Sequence, residues 1–408
     1  MRPVRIRHCN PASSIETRPM NLTPSHGKRT LVALASQYFL YFGVLGVFLP
    51  YFNLYCYHLG LSAFEIGLLA SVRSVTMTLM PIAWGLLADR FLLRKQIFIF
   101  CNGCAALSWS LFLFTETFSP MVAVAALYGF FYSPLVSFLE AFTMDALGPE
   151  KKRYGTIRVW GSICFISVVT VLGRFLDRAP LSLVVWLILV GSVFQTAGAL
   201  WVPNTSPRTR MPFFKNLSFM RDIRIFGFLS SAFLMLVSHG AYYGFFSIRL
   251  EALGMSKSLI GFAWAVASIV EVPVMFSSGK LFRRFSPESV LIVTFIAAGL
   301  RWALLATLSS PWLLLITQVL HALTYAAFHM ASILYMDRLT PEGAKTIGQS
   351  VNNALTYGLG FMVGFLISGW LFEVSGPNLM FWVSAGIAWI GGAIFFYFVR
   401  FRRPDCLL

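Results

Sequence analysis

Two short stretches of the 408-residue chain resemble each other and decide its architecture: LGLSAFEIG at 59–67 and LGMSKSLIG at 253–261. Both contain Leu-Gly-x-Ser followed by Ile-Gly, at an offset of 194 residues. The same offset, without a gap, relates GLLADR at 85–90 to GKLFRR at 279–284. A constant offset across separate motifs indicates an internal repeat, so the chain is predicted to consist of two similar halves.

The composition indicates a membrane protein. Residues of the set AVILMFWYC make up 57% of the chain and charged residues only 12%, against about 25% charged residues in soluble domains. Apolar stretches long enough to cross the hydrocarbon core, about 20 residues each, are predicted at 30–56, 63–88, 96–115, 119–146, 156–176, 181–202, 223–250, 257–282, 288–308, 311–338, 346–372 and 378–400. The predicted fold is an all-α polytopic membrane protein, with twelve transmembrane helices in two six-helix pseudo-symmetric bundles.

The chain divides at its polar segments. The predicted parts are a cytoplasmic basic tail at 1–29, an N-terminal bundle at 30–202, a cytoplasmic linker at 203–222, a C-terminal bundle at 223–402 and a cytoplasmic tail at 403–408. The N-terminal tail has no apolar core of the kind that a cleavable signal needs. The sequence leaves open whether residues 1–19 belong to the mature protein, because Met20 is a second possible start.

The net charge of +16 follows the predicted topology. Most basic residues fall on the side that holds both termini, whereas Arg174, Arg178, Arg249 and Lys257 fall on the other side. This asymmetry is the positive-inside rule, and it predicts cytoplasmic termini. We expect the protein to lie in the lipid bilayer of the bacterial inner (plasma) membrane and to work as a monomer. We expect no nucleic-acid partner.

Ionisable residues inside the predicted spans are functional candidates, because a charge in the bilayer is costly. Glu271 and Arg301 lie near the middle of their spans, and His321 and His329 share the tenth span. Burial favours the neutral acid and a nearby guanidinium favours the carboxylate, so Glu271 is the predicted proton-coupling residue. Arg301, His321 and His329 are predicted to assist it. A purely structural ion pair stays open, and a metal site at the histidines is disfavoured for lack of carboxylate or thiolate partners.

A second set of residues is predicted to bind a small-molecule substrate. Glu140 and Arg158 lie at similar depth on antiparallel neighbouring spans and could form a bidentate pair. A carboxylate substrate would need a cation, for which Arg301 or Arg73 is available, whereas a polyol would prefer the donors and acceptors of the Glu140–Arg158 pair. The remaining candidates for contact with substrate are Trp160, His239, Tyr242 and Tyr243. For each of these residues a packing role is the alternative.

The segment GLLADR at 85–90, followed by Arg94 and Lys95, resembles the loop signature between helices 2 and 3 of the major facilitator superfamily. The resemblance implies a fold of two six-helix bundles and a gating role for Asp89, Arg90 and Arg94, which would latch the two halves together at the cytoplasmic face. Leu92 stands where the signature has glycine, and the second copy carries Arg283 in place of the acid. Only the first loop is therefore expected to carry charges of both signs.

Further stretches resemble the 3-phenylpropionate transporter group of that superfamily. They include YGTIRVWGS at 154–162, HGAYYGF at 239–245 and Glu271, together with Arg301, His321 and His329. The charge plan is also similar to that of oligosaccharide–proton symporters, although Thr324 and Tyr325 stand where those carriers have their proton-carrying acid.

The two resemblances imply a secondary active transporter: a proton-coupled importer of a small organic acid, aromatic in one reading, by alternating access. Sugar or nucleoside symport and multidrug or metabolite efflux are the alternatives. A proton gradient would be the driving force, and no cofactor is expected. The chain has no HExxH, GxSxG or P-loop pattern, so an enzyme is not expected.

Overall fold

The computed structural model describes residues 27–204 and 218–401, and every regular element in these two ranges is a helix. The tails and residues 205–217 of the predicted linker lie outside the described residues. The first half contains α1 (Lys28–His58), α2 (Ala63–Phe91), α3 (Arg94–Ser110), α4 (Phe118–Tyr132), α5 (Pro134–Leu147), α6 (Tyr154–Leu176) and α7 (Leu183–Ala199). The second half contains α8 (Ile223–Ala252), α9 (Lys257–Arg284), α10 (Pro287–Thr307), α11 (Pro311–Thr317), α12 (Phe328–Leu339), α13 (Lys345–Asn353) and α14 (Phe361–Phe401).

Nine helical stretches of the described chain are long and apolar enough to cross a membrane. Two of them, Phe118–Leu176 and Ile347–Val399, have 59 and 53 residues, which is enough for two crossings each at about 20 residues per crossing. The first turns at Gly148 (φ +50°) and the second at Gly376 (φ +78°). With the shorter apolar helix Leu183–Ala199, the twelve predicted crossings are present.

The repeated motif has a simple structural meaning. Gly60 and Gly254 adopt left-handed backbone conformations, with φ of +86° and +79°, and end the turn before the next helix. Ser62 and Ser256 then cap α2 and α9 by accepting hydrogen bonds from backbone N–H groups in the first turn. At α2 the side chain of Glu65 completes a capping box. The repeated motif therefore forms the same glycine turn and serine helix cap before the second helix of each half.

Several spans are not uniform α-helices. The fourth crossing is broken between α4 and α5 at Ser133 and Pro134, because proline cannot donate a backbone hydrogen bond. A π-helical turn, Ala322–Ala327, separates α11 from α12, and a second one, Ala354–Gly360, separates α13 from α14. Such turns occur preferentially at functional sites.

The two halves are joined at the end of the bundle away from the termini. The Asp177 carboxylate accepts a hydrogen bond from the backbone N–H of Lys257 (2.7 Å), at the first turn of α9. His58 Nε2 lies 2.6 Å from Glu251 Oε2, and the Glu373 carboxylate accepts from the Phe64 N–H (2.8 Å). At the opposite end of the bundle, where the termini lie, none of the ion pairs among the described residues joins the halves.

Candidate functional site

A chain of three polar side chains lies in the interior of the second half. Arg301 on α10 donates from Nη1 to His321 Nδ1 (2.7 Å), and His321 Nε2 lies 2.9 Å from Glu271 Oε1 on α9. A guanidinium has no acceptor, so Nδ1 must be the accepting nitrogen and Nε2 must carry the ring proton. His321 is thereby held as the neutral tautomer that donates to Glu271.

Arg301 is fully buried and already has several partners. Its Nη2 donates to Gln318 Oε1 (2.8 Å), and Nη1 also reaches Thr324 Oγ1 (3.1 Å). Its guanidinium carbon lies 4.3 Å from the ring centroid of Tyr242 and 4.9 Å from that of Trp302. The guanidinium is thus fixed by hydrogen bonds at its edge and by aromatic rings over its faces.

The backbone of the tenth crossing explains how three of its residues approach one guanidinium. Gln318 lies in a short 3₁₀ turn, Gln318–Leu320, and Thr324 lies in the π-helical turn that follows His321. These departures from α-helical winding alter the angle between successive side chains. Gln318 and Thr324 were not among the predicted site residues, because the sequence analysis selected ionisable and aromatic side chains and these two are neutral polar residues.

Glu271 differs from its partners in being accessible. Its side chain keeps 20% of its accessible surface, against 5% for His321. It also interacts electrostatically with His329 and with Arg158 of the first half. Glu271 is therefore placed where a proton could reach it and where it faces charges in both halves.

The aromatic residues of the second half that were predicted to contact substrate lie beside the polar side chains of Arg301, His321 and Glu271. Tyr243 is half-buried, with ring centroids 5.8 Å from Tyr325 and 5.3 Å from Phe361. Tyr242 is buried and donates to Gln318 (3.2 Å). Tyr325, which was not predicted, stacks on His321 at 5.3 Å. Together these rings form an aromatic wall next to Glu271.

The two remaining histidines have other partners. His239 is fully buried, and its Nδ1 donates to the Met235 carbonyl (2.8 Å). His329 Nδ1 lies 2.6 Å from Tyr357 Oη, on the second π-helical turn. His329 is half-buried and near Glu271, whereas His239 has the surroundings of a packing residue.

In the first half the structure places the predicted substrate pair close together but without a direct ion pair. Glu140 is exposed and interacts electrostatically with Arg158. No ion pair within 4 Å joins the two side chains, each of which lies in a described range. The Arg158 guanidinium instead lies over the Phe42 ring, 3.7 Å from its centroid. The bidentate geometry expected from their depth is therefore absent, and the contact that the structure shows for the Arg158 guanidinium is with an aromatic face.

Trp160 lies on the outer face of α6. Two residues after Arg158, it points to the opposite side of the helix. It is 48% exposed, in one stripe with the exposed Ile163 and Val171. We assign this stripe to lipid, so Trp160 is not carried into the site.

Arg73 lies in the middle of α2, with its guanidinium carbon 4.5 Å from the Phe48 ring centroid. Its electrostatic neighbours are the tyrosines Tyr41, Tyr128 and Tyr132. A narrow cavity beside it is lined by aromatic residues of the first half. Of these tyrosines none was predicted, because each is one aromatic among many in its span.

The predicted gating residues form a cluster in the first half, at the end of the bundle where the chain termini lie. Arg94 donates to Asp89 (3.1 Å) and to Asp145 (2.9 Å), so it bridges the loop after α2 and the end of α5. Arg90 instead lies over Phe91, 5.6 Å from the ring centroid. Asp145, near the end of α5, is thus the third member of the cluster.

Comparisons with known proteins agree with this architecture. Residues 31–383 match the MFS_1-like family. A protein of Escherichia coli K12 described as a probable 3-phenylpropionic acid transporter is 28% identical over 367 residues, which cover 87% of this chain and 94% of its own length. The maltose permease of Geobacillus stearothermophilus is 24% identical over 82% of this chain and 86% of its own.

The fold is also that of a solved transporter. The crystal structure of the nucleoside transporter NupG superposes with a TM-score of 0.83 at 18% identity, covering 91% of this chain and 99% of that one. The family match extends over most of the chain, and these relatives are transporters and not enzymes. The chain therefore belongs to the MFS_1-like family of the major facilitator superfamily and is an integral membrane transporter of small molecules.

Proposed function

We propose that this transporter is a proton-coupled importer of a small organic acid of aromatic character. It would work as a monomer by alternating access in the bacterial inner membrane, with both termini in the cytoplasm. A proton gradient would supply the driving force. The observation that carries the proposal is the chain from Arg301 through His321 to Glu271.

The hydrogen bonds among Arg301, His321 and Glu271 support Glu271 as the proton carrier. While Arg301 donates to His321 Nδ1, a second proton cannot be added to this imidazole without breaking the contact. The carboxylate of Glu271 can take up a proton without displacing any donor, since one of its oxygens stays free of His321. We infer that His321 orients Glu271 and that the proton itself resides on Glu271.

The contacts between the halves support alternating access. The halves are joined at the end away from the termini, where Asp177 caps α9. With the termini in the cytoplasm, as the distribution of basic residues indicates, this arrangement is closed toward the outside. Transport would require these contacts to break as the two bundles rock about the central site.

The preference for an aromatic acid rests on the side chains that face the interior. Intramembrane arginines offer a cation to a carboxylate, and rings such as Tyr243 and Phe361 offer apolar surface. The relative described as a probable 3-phenylpropionic acid transporter supports the same substrate class.

Sugar or nucleoside symport is the second candidate. It is favoured by the exposed Glu140 next to Arg158, which together offer acceptors and donors to a hydroxylated solute. The maltose permease and the NupG structure are relatives of that kind.

Uptake by reconstituted proteoliposomes tests the proposal. The purified full chain should accumulate labelled aromatic acids when the outside is made acidic, and a protonophore should abolish the accumulation. Protein-free liposomes are the essential control, because neutral weak acids cross a bilayer unaided. Gradient-dependent accumulation of sugars or nucleosides but not of aromatic acids would support the second candidate. Uptake independent of the pH gradient would contradict proton coupling.

A further inference from the structure

A groove of about 410 Å³ lies between α8 and the second π-helical turn, Ala354–Gly360. This volume falls within the range of sites that hold small organic ligands, roughly 300 to 1,000 Å³. Its lining is apolar except for one serine hydroxyl, and its two walls include Phe226, Ser230 and Phe233 of α8 and Leu355 and Leu359 of the turn. A ligand of this groove must therefore be mainly apolar.

The groove opens on the outer surface of the second half, away from the central site. Leu359 is 40% exposed, and Trp370, three helical turns later on the same face, is 54% exposed. Tyr357, two residues before Leu359, points to the other side of the helix, where its hydroxyl meets His329. The wall on α8 includes Phe226, which is 60% exposed. An apolar groove on this surface lies against the acyl chains of the bilayer.

The groove lies within one leaflet of the membrane. α8 begins at Ile223, directly after the linker, and the groove extends along it from Phe226 to Leu234. At about 1.5 Å per residue these positions lie roughly 5 to 17 Å from the start of the helix, which corresponds to one half of a hydrocarbon core of about 30 Å. This is the end of the bundle where the termini lie, so the positive-inside rule assigns the groove to the cytoplasmic leaflet.

An exposed arginine stands at the cytoplasmic end of the groove. Met220 lines the groove, and Arg221 follows it in the short 3₁₀ turn that precedes α8. None of the ion pairs within 27–204 and 218–401 involves Arg221. The neighbouring acid, Asp222, is held by Arg224 at 2.6 Å. The Arg221 guanidinium is therefore available to a phosphate group, whose oxygens match its fork of N–H donors.

An apolar groove in the cytoplasmic leaflet, with an arginine at the level of the headgroups, has the chemistry of a site for an anionic phospholipid. We propose that one acyl chain of such a lipid occupies the groove and that its phosphate binds Arg221. Leu355 and Leu359 belong to the π-helical turn, so the bound lipid packs against the backbone segment that holds Tyr357 beside His329. This site is separate from the one that takes the transported solute.

Native mass spectrometry of the purified full chain in detergent tests this assignment. The probes are phosphatidylglycerol, which is anionic, and phosphatidylcholine, which is zwitterionic, with identical acyl chains. The wild type should bind phosphatidylglycerol about fivefold more tightly than phosphatidylcholine, the difference expected from one arginine near the headgroups. Arg221→Gln should reduce this preference to less than about twofold and keep the binding of phosphatidylcholine. Arg283→Gln is the matched control, since Arg283 is also exposed, lies at the same end of the second half and does not line the groove.

Ser230→Phe is the second variant, and it fills the groove. It should weaken binding of both lipids by at least about tenfold, because the acyl chain loses the apolar surface that it covers. Ser167→Phe is the matched control: Ser167 is exposed on the lipid-facing stripe of α6 that includes Ile163 and Val171, and the variant should bind both lipids like the wild type. If Ser230→Phe does not fold, Leu359→Trp, which fills the groove from its other wall, decides the result.

Three outcomes would overturn the assignment. The first is a wild type that retains neither lipid or binds both equally. The second is a preference for phosphatidylglycerol that survives in Arg221→Gln, or lipid binding that survives in the folded groove-filling variant. The third is another occupant: a dimer that Ser230→Phe dissociates would assign the groove to a second copy of the chain, and displacement of the lipid by 3-phenylpropionate would assign it to the solute. Because neither a gradient nor transport is involved, the result is independent of proton coupling.

Discussion

At position 92 a leucine adopts the left-handed backbone conformation, with φ of +55° and ψ of +31°. It ends α2, and its N–H donates to the Ala88 carbonyl. The left-handed region is unfavourable for residues with a Cβ by about 1 kcal/mol. Glycine adopts this backbone conformation without steric strain, which explains why the superfamily signature has glycine at this position. Leucine here carries the strain, so it lowers the stability of the fold at this turn.

Leu92→Gly should therefore stabilise the protein. We expect a gain of about 0.5 kcal/mol, because the freedom of glycine in the unfolded chain offsets part of the relief. Leu92 is 61% exposed, so little packing is lost. The measurement is the unfolding midpoint in detergent, with Leu93→Gly as control, since Leu93 has φ of −109° and gains nothing. If both variants are destabilised equally, Leu92 is not strained.

The sequence could predict which residues form the polar cluster of Glu271, Arg301 and His321, but not which hydrogen bonds they make. Depth along the spans put Glu271 and Arg301 near the middle of the membrane, and in the structure His321 lies between them and contacts both. Depth does not reveal which neighbour takes which donor, so the part played by Gln318 stayed hidden. Nor does it separate a face that looks inward from one that meets lipid, as Trp160 shows.

At the scale of elements, Arg94 ties the loop after α2 to the end of α5 through Asp89 and Asp145. Both contacts lie within the first half, so the cluster connects α2, α3 and α5 to one another. The loop signature predicted Asp89 and Arg94. It could not predict Asp145, which lies 51 residues from Arg94 along the chain.

Asp89→Asn should slow transport and leave substrate affinity nearly unchanged, because the residue acts in the conformational exchange and not at the site. The expected decrease is up to about fivefold, since an ion pair with a carboxylate 40% exposed contributes at most about 1 kcal/mol. Glu150→Gln, which removes the exposed ion pair with Arg153 at the same end of the half, is the matched control and should have little effect. Normal transport rates in Asp89→Asn would exclude a gating role.

At the scale of the whole molecule, the closed end depends on close helix packing. A Cβ on Gly261 of α9 would overlap the Val169 carbonyl oxygen of α6 and the Tyr51 hydroxyl. Since a backbone carbonyl cannot move aside cheaply, only glycine permits this approach of the two halves.

Gly261→Ala should therefore increase the fraction of molecules in which the two halves are separated at this end. Spin labels on cysteines introduced at Arg178 and Ser375, one in each half and both exposed, would report the change as a longer distance. Gly279→Ala on the same helix is the matched control, because a Cβ there meets nothing within 4 Å. An unchanged distance distribution in Gly261→Ala would show that this contact does not hold the end closed.

The twelve crossings and the two-half plan could be predicted because hydrophobic length and the repeat are properties of the chain alone. The break at Ser133 and Pro134 and the two π-helical turns were not predicted. Those features depend on how neighbouring helices satisfy the freed backbone groups, which a single sequence does not show.

The central claim is that Glu271 carries the coupled proton, and Glu271→Gln tests it most directly. Glutamine keeps the size of the side chain and can still accept from His321, but it cannot take up or release a proton. Proteoliposomes with the variant would be assayed in two modes: uphill accumulation driven by an imposed pH gradient, and exchange of internal for external substrate at equal concentrations.

We predict that Glu271→Gln abolishes uphill accumulation and leaves exchange largely intact, because exchange requires no net proton release. A carboxylate held only for packing would behave differently, with both modes lost through misfolding or both retained. Accumulation against a gradient by the Glu271→Gln variant would contradict the account and would make His329, which lies near Glu271, the next candidate.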